Sequence, residues 1–225
     1  MTQQILSSPG GFTPAVGCPW LTPLYDGLVR TLTREKAWRD ALVAQIAPAP
    51  DDVIVDLGCG TASMLIRLAE TGSGACLMGM DPDPAILRLA SRKAVAAGVS
   101  VRLLNGFGRD AAGLFGGWAV TKVLTSLVLH QVPLAEKRAM LAAAFDLLLP
   151  GGELHIADYG LQAGPAMRLA FRLTVQMVDG IADTGPQADG ILPELIAEAG
   201  FGPVVETRAF DTPTGTIRLY RAVRP

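Results

Sequence analysis

Two aspartates and a pair of glycines in the first half of this chain are spaced as a small charged ligand would require. Asp56 ends the apolar run Val53-Ile-Val, Gly58 and Gly60 follow two residues apart, and the run Met64-Leu-Ile-Arg-Leu-Ala69 comes straight after. The pattern predicts a buried parallel strand, a tight turn, and a helix whose N-terminus points at the turn. Glycine suits a backbone that bends sharply and lets a ligand come close. Free N–H groups at the helix start suit an anionic ligand group such as a carboxylate. Asp81 closes the next apolar run, 25 residues after Asp56. In doubly wound folds an acid at that place accepts hydrogen bonds from ribose hydroxyls. A nucleotide-like ligand is the first expectation.

The glycines separate two ligand classes. A dinucleotide fingerprint starting at Gly58 needs glycine at position 63, where Ser63 stands. Asp56, just ahead of the first glycine, suits a ligand that carries an ammonium group. The combination favours S-adenosylmethionine over NAD. Asp81 also has a plainer reading as the N-cap of a helix starting at Pro84.

The elements that must hold these residues alternate. Strands are predicted near 52–57, 75–80, 100–104, 120–126 and 152–158. Helices are predicted near 22–33, 34–47, 61–72, 83–97, 134–149, 164–180 and 189–199. Strands that are continuous apolar runs, alternating with helices, predict an α/β fold: a mostly parallel sheet with helices on both faces. Val204–Phe210 and Thr216–Val223 flank Asp211-Thr-Pro-Thr-Gly215 and predict an antiparallel C-terminal hairpin, for seven strands in all. Residues 1–19, with Pro9, Gly10, Gly11, Pro14, Gly17 and Pro19, read as an irregular arm. The chain is expected to form one domain over 1–225, with residues 20–48 as an N-terminal helical cap and 161–200 as a substrate cap.

Composition narrows the functional classes. Hydrophobic residues are 50% of 225 and charged residues 18%, which describes a globular chain. A formal net charge of −2 offers no basic footprint for nucleic acid. Three cysteines (Cys18, Cys59, Cys76), no C-x-x-C pair and two histidines argue against a disulfide framework or a metal site. Each cysteine reads as a small packing residue. The N-terminal residues lack a cationic start followed by an apolar core, so no signal peptide is expected, and reduced thiols in the cytoplasm are. No apolar run approaches the roughly 20 residues of a membrane span. A homodimer is left open.

At this point the chain resembles a known family, the class I S-adenosylmethionine-dependent methyltransferases. The likeness is closest to the small-molecule branch that includes ubiquinone and menaquinone biosynthesis. Asp56-Leu-Gly-Cys-Gly-Thr resembles the family's first motif and Gly79-Met-Asp81 its second. Val123–His130 is similar to the fourth strand and its exit, and Leu148–Gly160 to the turn and fifth strand. Leu21-Thr-Pro-Leu-Tyr25-Asp resembles a tyrosine-bearing helix that closes over the cofactor. The resemblance covers roughly residues 20–223 and implies a Rossmann-like, seven-stranded fold.

The same resemblance implies a set of roles. Gly58, Cys59 and Gly60 would line the methionine part of the cofactor with backbone, and Asp56 would favour its ammonium group. Asp81 would hold the ribose, with Pro82, Gly106 and Phe107 around adenine. Ser126 and Leu127 would face the sulfonium. Three positions depart from the pattern. Ala62 replaces a frequent third glycine and fits there if its φ is negative. Phe107 stands where many members place an acid for the adenine amino group. Thr121 replaces an acid that opens the fourth strand.

Catalytic candidates lie at the strand ends where α/β sheets bind ligands. His130 follows the fourth strand and can act as a base at neutral pH, or can simply cap a loop. Asp158 ends the fifth strand and can orient a substrate, take its proton or cap a turn. Tyr25 can touch the cofactor or pack the first helix onto the sheet. His155, inside the fifth strand, reads as a core histidine. Met167, Leu169, Phe171, Leu173, Val175 and Met177 read as core that also suits the wall of an apolar pocket. The expected activity is methyl transfer to a small, largely apolar acceptor. Two rivals stand beside it. An NAD(P)-dependent oxidoreductase is opposed by Ser63 and by the lack of a Tyr-x-x-x-Lys pair. A non-catalytic cofactor-binding protein derived from a methyltransferase is suggested by Phe107 and Thr121.

Overall fold

The computed structural model describes residues 34–225. The arm over 1–19, the helix expected over 22–33, and with them Tyr25 and Cys18, lie outside the described residues.

The chain alternates as its apolar pattern dictates. Helix α1 (Glu35–Ile46) leads to β1 (Val53–Leu57), α2 (Ser63–Ala69), β2 (Cys76–Asp81), α3 (Pro84–Ala96) and β3 (Arg102–Asn105). Then come α4 (Ala111–Phe115), β4 (Val120–Ser126), α5 (Leu134–Leu147) and β5 (Leu148–Tyr159). Four short helices, α6 (Pro165–Leu173), α7 (Val175–Asp179), α8 (Ile181–Ala188) and α9 (Leu192–Glu198), precede the hairpin β6 (Val205–Thr212) and β7 (Gly215–Val223). The seven strands form one sheet in the order β3-β2-β1-β4-β5-β7-β6. The first five run parallel, and β7 pairs antiparallel with both β5 and β6.

Period-two burial divides the core. Ile54, Leu124, Ala157 and Leu219 join the cluster under α1, α2 and α6, with Trp38, Leu42, Leu65 and Phe171. Val55, Val123, Ile156 and Tyr220 join the opposite cluster, with Phe115, Met140, Leu141 and Ile196. Helices therefore cover both faces, as parallel strands require. The chain leaves β1 toward β2 on one side and returns to β4 on the other. The crevice outside the C-terminal ends of β1 and β4 is thus the topological switch point.

Local chemistry explains several boundaries and overturns some expectations. The N-cap of α3 is Asp83, whose carboxylate accepts from the N–H groups of Ala85 and Ile86, with Pro84 at the first helical position. Asp81 is thereby not needed as that cap. The helix expected over 164–180 is broken at Thr174 (φ −118°, ψ −81°), whose hydroxyl donates to the carbonyls of Ala170 and Thr214. Residues 181–188, which no predicted helix covered, form α8 despite Gly185 and Pro186 within it; Thr184, Gln187 and Ala188 are buried by it. Tertiary packing outweighs propensity there.

Lys137 of α5 is fully buried. Its ammonium donates to the carbonyl of Val132 (2.6 Å), in the loop after β4, and to that of Asp183 (2.7 Å), in α8. It pins the helices after β5 to the post-β4 loop. Replacing it by methionine keeps the volume and removes a buried charge, but takes one donor from each of two carbonyls. Each such loss costs ~1–3 kcal/mol, partly offset by the desolvation relieved. Lys137→Met should lower the unfolding free energy by about 2 kcal/mol in urea titration.

Candidate active site

Asp56 sits on the interior strand β1, on the face that meets α1. It pairs in register with Gly79 of β2 and Leu124 of β4. The side chain is buried and its Oδ1 has no hydrogen-bond partner among the described residues. Burial pushes its carboxyl up to about 7; Arg39 of α1 opposes that rise and Asp81 adds to it. Arg39 lies over the ring of Trp38 (4.8 Å) and pairs with Glu35 (2.7 Å). The indole N–H of Trp38 is also buried and unpartnered among the described residues. A bare carboxylate oxygen in a desolvated place is costly unless a cation or donor joins it. Neither Arg39 nor Trp38 was legible as a site residue, because nothing in an amphipathic helix says which strand end it covers.

The glycine turn is strained as expected but spends its donors differently. Gly58 (φ +75°) and Gly60 (φ +52°) are left-handed, where glycine is favoured. A Cβ on Gly58 would stand 2.5 Å from Cγ2 of Val128, so the turns after β1 and β4 touch. Among the described residues, a Cβ on Gly60 would meet no protein atom within 4 Å, so they leave open space over it. The N–H groups of Gly58 and Cys59 both donate to the Met80 carbonyl (2.9 Å each), and that of Gly60 to Asp81 Oδ2 (3.0 Å). These three donors are therefore not available to an anionic ligand group. Ala62 has φ +60°, not the negative value expected for a residue with a methyl group; it opens α2 from the left-handed region. Cys59 is buried beside the turn, and burial pushes its thiol up.

Asp81 reaches back to this turn from β2. Its Oδ1 accepts from the Asp83 N–H (3.0 Å), and burial raises its carboxyl. Its own carbonyl receives Gly106 N–H (3.2 Å) and the Asn105 amide (3.0 Å), which also binds the Pro82 carbonyl (3.0 Å). Pro82, Gly106 and Phe107 thus gather at the ends of β2 and β3. Phe107 carries the Arg109 guanidinium over its ring (4.4 Å), and its N–H donates to Asp110 Oδ2 (3.2 Å). Asp110 is the acid that stands beside this corner.

Beyond β4 the backbone is strained again. Leu127 has φ +55°, rare for a branched side chain. It is held by its N–H to the Ala157 carbonyl (2.9 Å) and by the Gln131 amide on its own carbonyl (3.0 Å). Ser126, the last residue of β4, precedes it at the switch point. Asp158, at the end of β5 and fully buried, accepts four hydrogen bonds. Oδ2 takes the N–H groups of Val128 (3.1 Å) and Leu129 (2.7 Å); Oδ1 takes the Tyr159 N–H (2.7 Å) and meets His130 Nδ1 at 2.6 Å. A carboxylate only accepts, so Nδ1 carries the proton and Nε2 holds the lone pair of the neutral ring. The imidazole packs edge-on against Tyr159 (5.0 Å). Nε2 lies 3.6 Å from Asp179 Oδ2, on α7. Asp179 escaped notice in the sequence; its one signal was a lone acid closing the apolar run Val175–Val178.

Other candidates fall outside this cluster. His155 is a core residue: Gln45 donates to its Nδ1 (3.1 Å) and its Nε2 faces Glu153 (3.0 Å). Thr121 opens β4 at the opposite edge of the sheet, bound to Asp52 (2.7 Å). No cluster that could hold a metal, and no helix long and apolar enough to cross a membrane, occurs among the described residues.

The model of the family described as "Methyltransferase domain" matches residues 54–152. A demethylmenaquinone methyltransferase of Thermus thermophilus is 30% identical over 161 residues, which are 70% of this chain and 71% of that one. Its counterpart in Deinococcus radiodurans is 28% identical over 182 residues, 78% of this chain and 74% of that one. The magnesium protoporphyrin IX methyltransferase of Synechocystis, solved with bound SAH, shares the fold: TM-score 0.67 at 21% identity, over 88% of this chain and 87% of that chain. With strand order, turn and switch point in place, the relatedness settles the family: this chain belongs to the class I S-adenosylmethionine-dependent methyltransferases and is an enzyme that uses S-adenosylmethionine as its methyl donor.

Proposed function

We propose that the enzyme methylates a small, largely apolar acceptor whose nucleophilic atom must first lose a proton, and that His130 takes that proton. The observation that carries this reading is the His130–Asp158 pair (2.6 Å) at the C-terminal edge of the sheet. A base needs an oriented ring and an available nitrogen. Asp158 supplies the orientation, and its four accepted hydrogen bonds and full burial leave it unsuited to meet the acceptor itself. His130 Nε2 is the atom left for the acceptor. A quinol-type aromatic fits, since its ring becomes nucleophilic when a hydroxyl is deprotonated, and relatives named demethylmenaquinone methyltransferase support that class. A lipid-like amine fits the apolar surroundings too but would need no base. The net charge of −2 argues against nucleic acid.

The residues present fit the cofactor. Asp56 Oδ1, buried and without a partner among the described residues, would bind the ammonium group, with Arg39 offsetting the carboxylate's burial. The open space over Gly60 would admit the methionine end beside Gly58 and Cys59. Asp81 keeps lone pairs for ribose hydroxyls while it holds the turn. Pro82, Gly106 and Phe107 would border adenine, and Asp110 could receive its amino group. Ser126 and Leu127 would border the sulfonium. Once bound, the cofactor supplies a methyl group on a positively charged sulfur. The protein's task is then alignment and proton removal, and alignment alone can contribute on the order of 7–11 kcal/mol. Tyr25 stays a candidate for contact with cofactor or acceptor.

Asp56 gives this reading a pH signature. A carboxyl raised to about 7 binds its proton more tightly in the folded chain than in the unfolded one. The stability it contributes is complete below the unfolded carboxylate range, near pH 4, and is lost as pH rises through about 7. In cofactor-free protein, Asp56→Asn should abolish that loss and be the more stable form at pH 8, by up to about 4 kcal/mol on this shift. Urea titrations at pH 5 and pH 8 measure it. The same variant should bind S-adenosylhomocysteine at least about tenfold more weakly, because it offers no charge to the ammonium group.

Asp81→Ala should weaken S-adenosylhomocysteine binding tenfold or more in calorimetry while the chain stays folded, since each hydrogen bond lost to a charged group costs ~1.5–3 kcal/mol. Binding within twofold of the parent would refute the ribose assignment. His130→Asn should lower turnover of a prenylated naphthoquinol about a hundredfold with cofactor affinity unchanged. Unchanged turnover would point to a neutral amine or thiolate and direct transfer.

A further inference from the structure

His130 does not face the acceptor space alone. The nitrogen left free by Asp158 lies 3.6 Å from Asp179 Oδ2, which makes His130 a bridge between two carboxylates on two elements, β5 and α7. A separation of 3.6 Å exceeds a direct hydrogen bond. Nε2 is therefore not capped by a direct hydrogen bond to Asp179. The same gap closes with a shift of a few tenths of an ångström once Nε2 carries a proton.

We propose that Asp179 is a positioning residue for proton removal, a carboxylate that holds the Nε2–H of His130 after the ring has taken the acceptor's proton. This rests on His130 being the base. The proton leaves the acceptor's O–H or activated C–H bond for Nε2, and the bonding electron pair stays on the acceptor as the nucleophile. The imidazolium formed then lies between Asp158 on one side and Asp179 on the other, so charge created in a buried place is met by charge already there.

Three further observations agree. Asp179 is the sole acid between Leu161 and Ala182, and among the described residues its only ion-pair partner is His130. Its side chain is turned in, 19% exposed, while Met177 and Val178 before it are exposed. Thr174 and Gly180 (φ +82°) bound α7 to five residues, so Asp179 is carried on one short unit above the ring. The other charged groups about His130 do not take over its part. Lys137 of α5 spends its ammonium on two carbonyls, and Asp183 of α8 offers its carbonyl to that lysine. Tyr159 presents only its ring to the imidazole. Burial raises the Asp179 carboxyl and the charge of His130 lowers it, as expected of a coupled pair.

The chain has two histidines, so imidazole nitrogens labelled with 15N give two resolvable titrations from the full-length protein. His155, buried between Gln45 and Glu153, reports whether each variant is folded. In Asp179→Asn the protonation of His130 should move to lower pH while the His155 signal is unchanged, and Asp179→Glu should restore most of the shift. With a prenylated naphthoquinol as acceptor, Asp179→Asn should lose about tenfold in turnover, its acid limb displaced to lower pH, and bind S-adenosylhomocysteine within twofold of the parent. A merely structural aspartate would change acceptor affinity and leave the limb in place. An unmoved His130 titration in folded Asp179→Asn overturns the proposal. A moved titration, together with undiminished turnover in His130→Asn, overturns the base assignment beneath it instead.

Discussion

One buried carboxylate, Asp158, organises the C-terminal edge of the sheet after β4. It lies at the end of β5, yet three of its four hydrogen bonds fix the segment after β4: two backbone N–H groups and the His130 ring. That segment includes Leu127, in a conformation costing of order 1–3 kcal/mol, which persists only where its surroundings over-determine it. It also includes Val128, the side chain against which Gly58 must lack a Cβ. The geometry of the glycine turn is thus tied, through Val128, to an acid about a hundred positions later in the chain. Sequence order hides that dependence, because parallel strands bring together ends that the chain visits far apart.

The two buried acids of the switch point differ in a way that separates structure from ligand chemistry. Asp158 is saturated by the protein's own donors. Asp56, equally buried, has an oxygen with none among the described residues, and its carboxyl is pushed up to about 7. A fold optimised for stability alone would not leave an acid so; an apolar residue would serve better there. The cost makes sense in a protein whose ligand brings a positive charge, and the same field explains why Arg39 is held nearby although burial disfavours its own charge.

Much of the fold was legible because parallel strands buried on both faces are continuous apolar runs, and β1, β2, β4 and the hairpin fall within a residue or two of where those runs lie. The turn that Asp56, Gly58, Gly60 and Asp81 build was legible for a second reason: its shape depends on local spacing. What was not legible depends on contacts between distant elements or on a backbone angle. The sign of φ at Ala62 cannot be read from alanine, which disfavours the left-handed region it occupies. The partners of the glycine-turn N–H groups, the Met80 carbonyl and the Asp81 carboxylate, belong to the neighbouring strand and leave no mark on the local sequence. The break at Thr174 turns on a hydroxyl bonded to Thr214, 40 residues away. Arg39 and Asp179 lie on helices whose packing places them at strand ends, and no motif marks them.

Thr121 shows how a departure from a family pattern is weighed once its place is known. It stands at the N-terminal end of β4, where the sheet meets the α1–β1 loop, on the edge away from His130 and Asp81. Its hydroxyl donates to Asp52 Oδ1 (2.7 Å) and accepts the Val53 N–H (3.1 Å). Lys122 completes the cluster, with its ammonium on Asp52 Oδ2 (2.6 Å) and on the carbonyl of Ile46 (2.9 Å), the last residue of α1. An acid is therefore present at this edge, supplied by Asp52 rather than by position 121, and its partners bind β1, β4 and α1 together. An acid at 121 as well would set two carboxylates around one lysine, and the hydroxyl is what lets Asp52 serve alone. The departure at 121 leaves the charge to Asp52, just ahead of β1, at the sheet edge opposite His130 and Asp158.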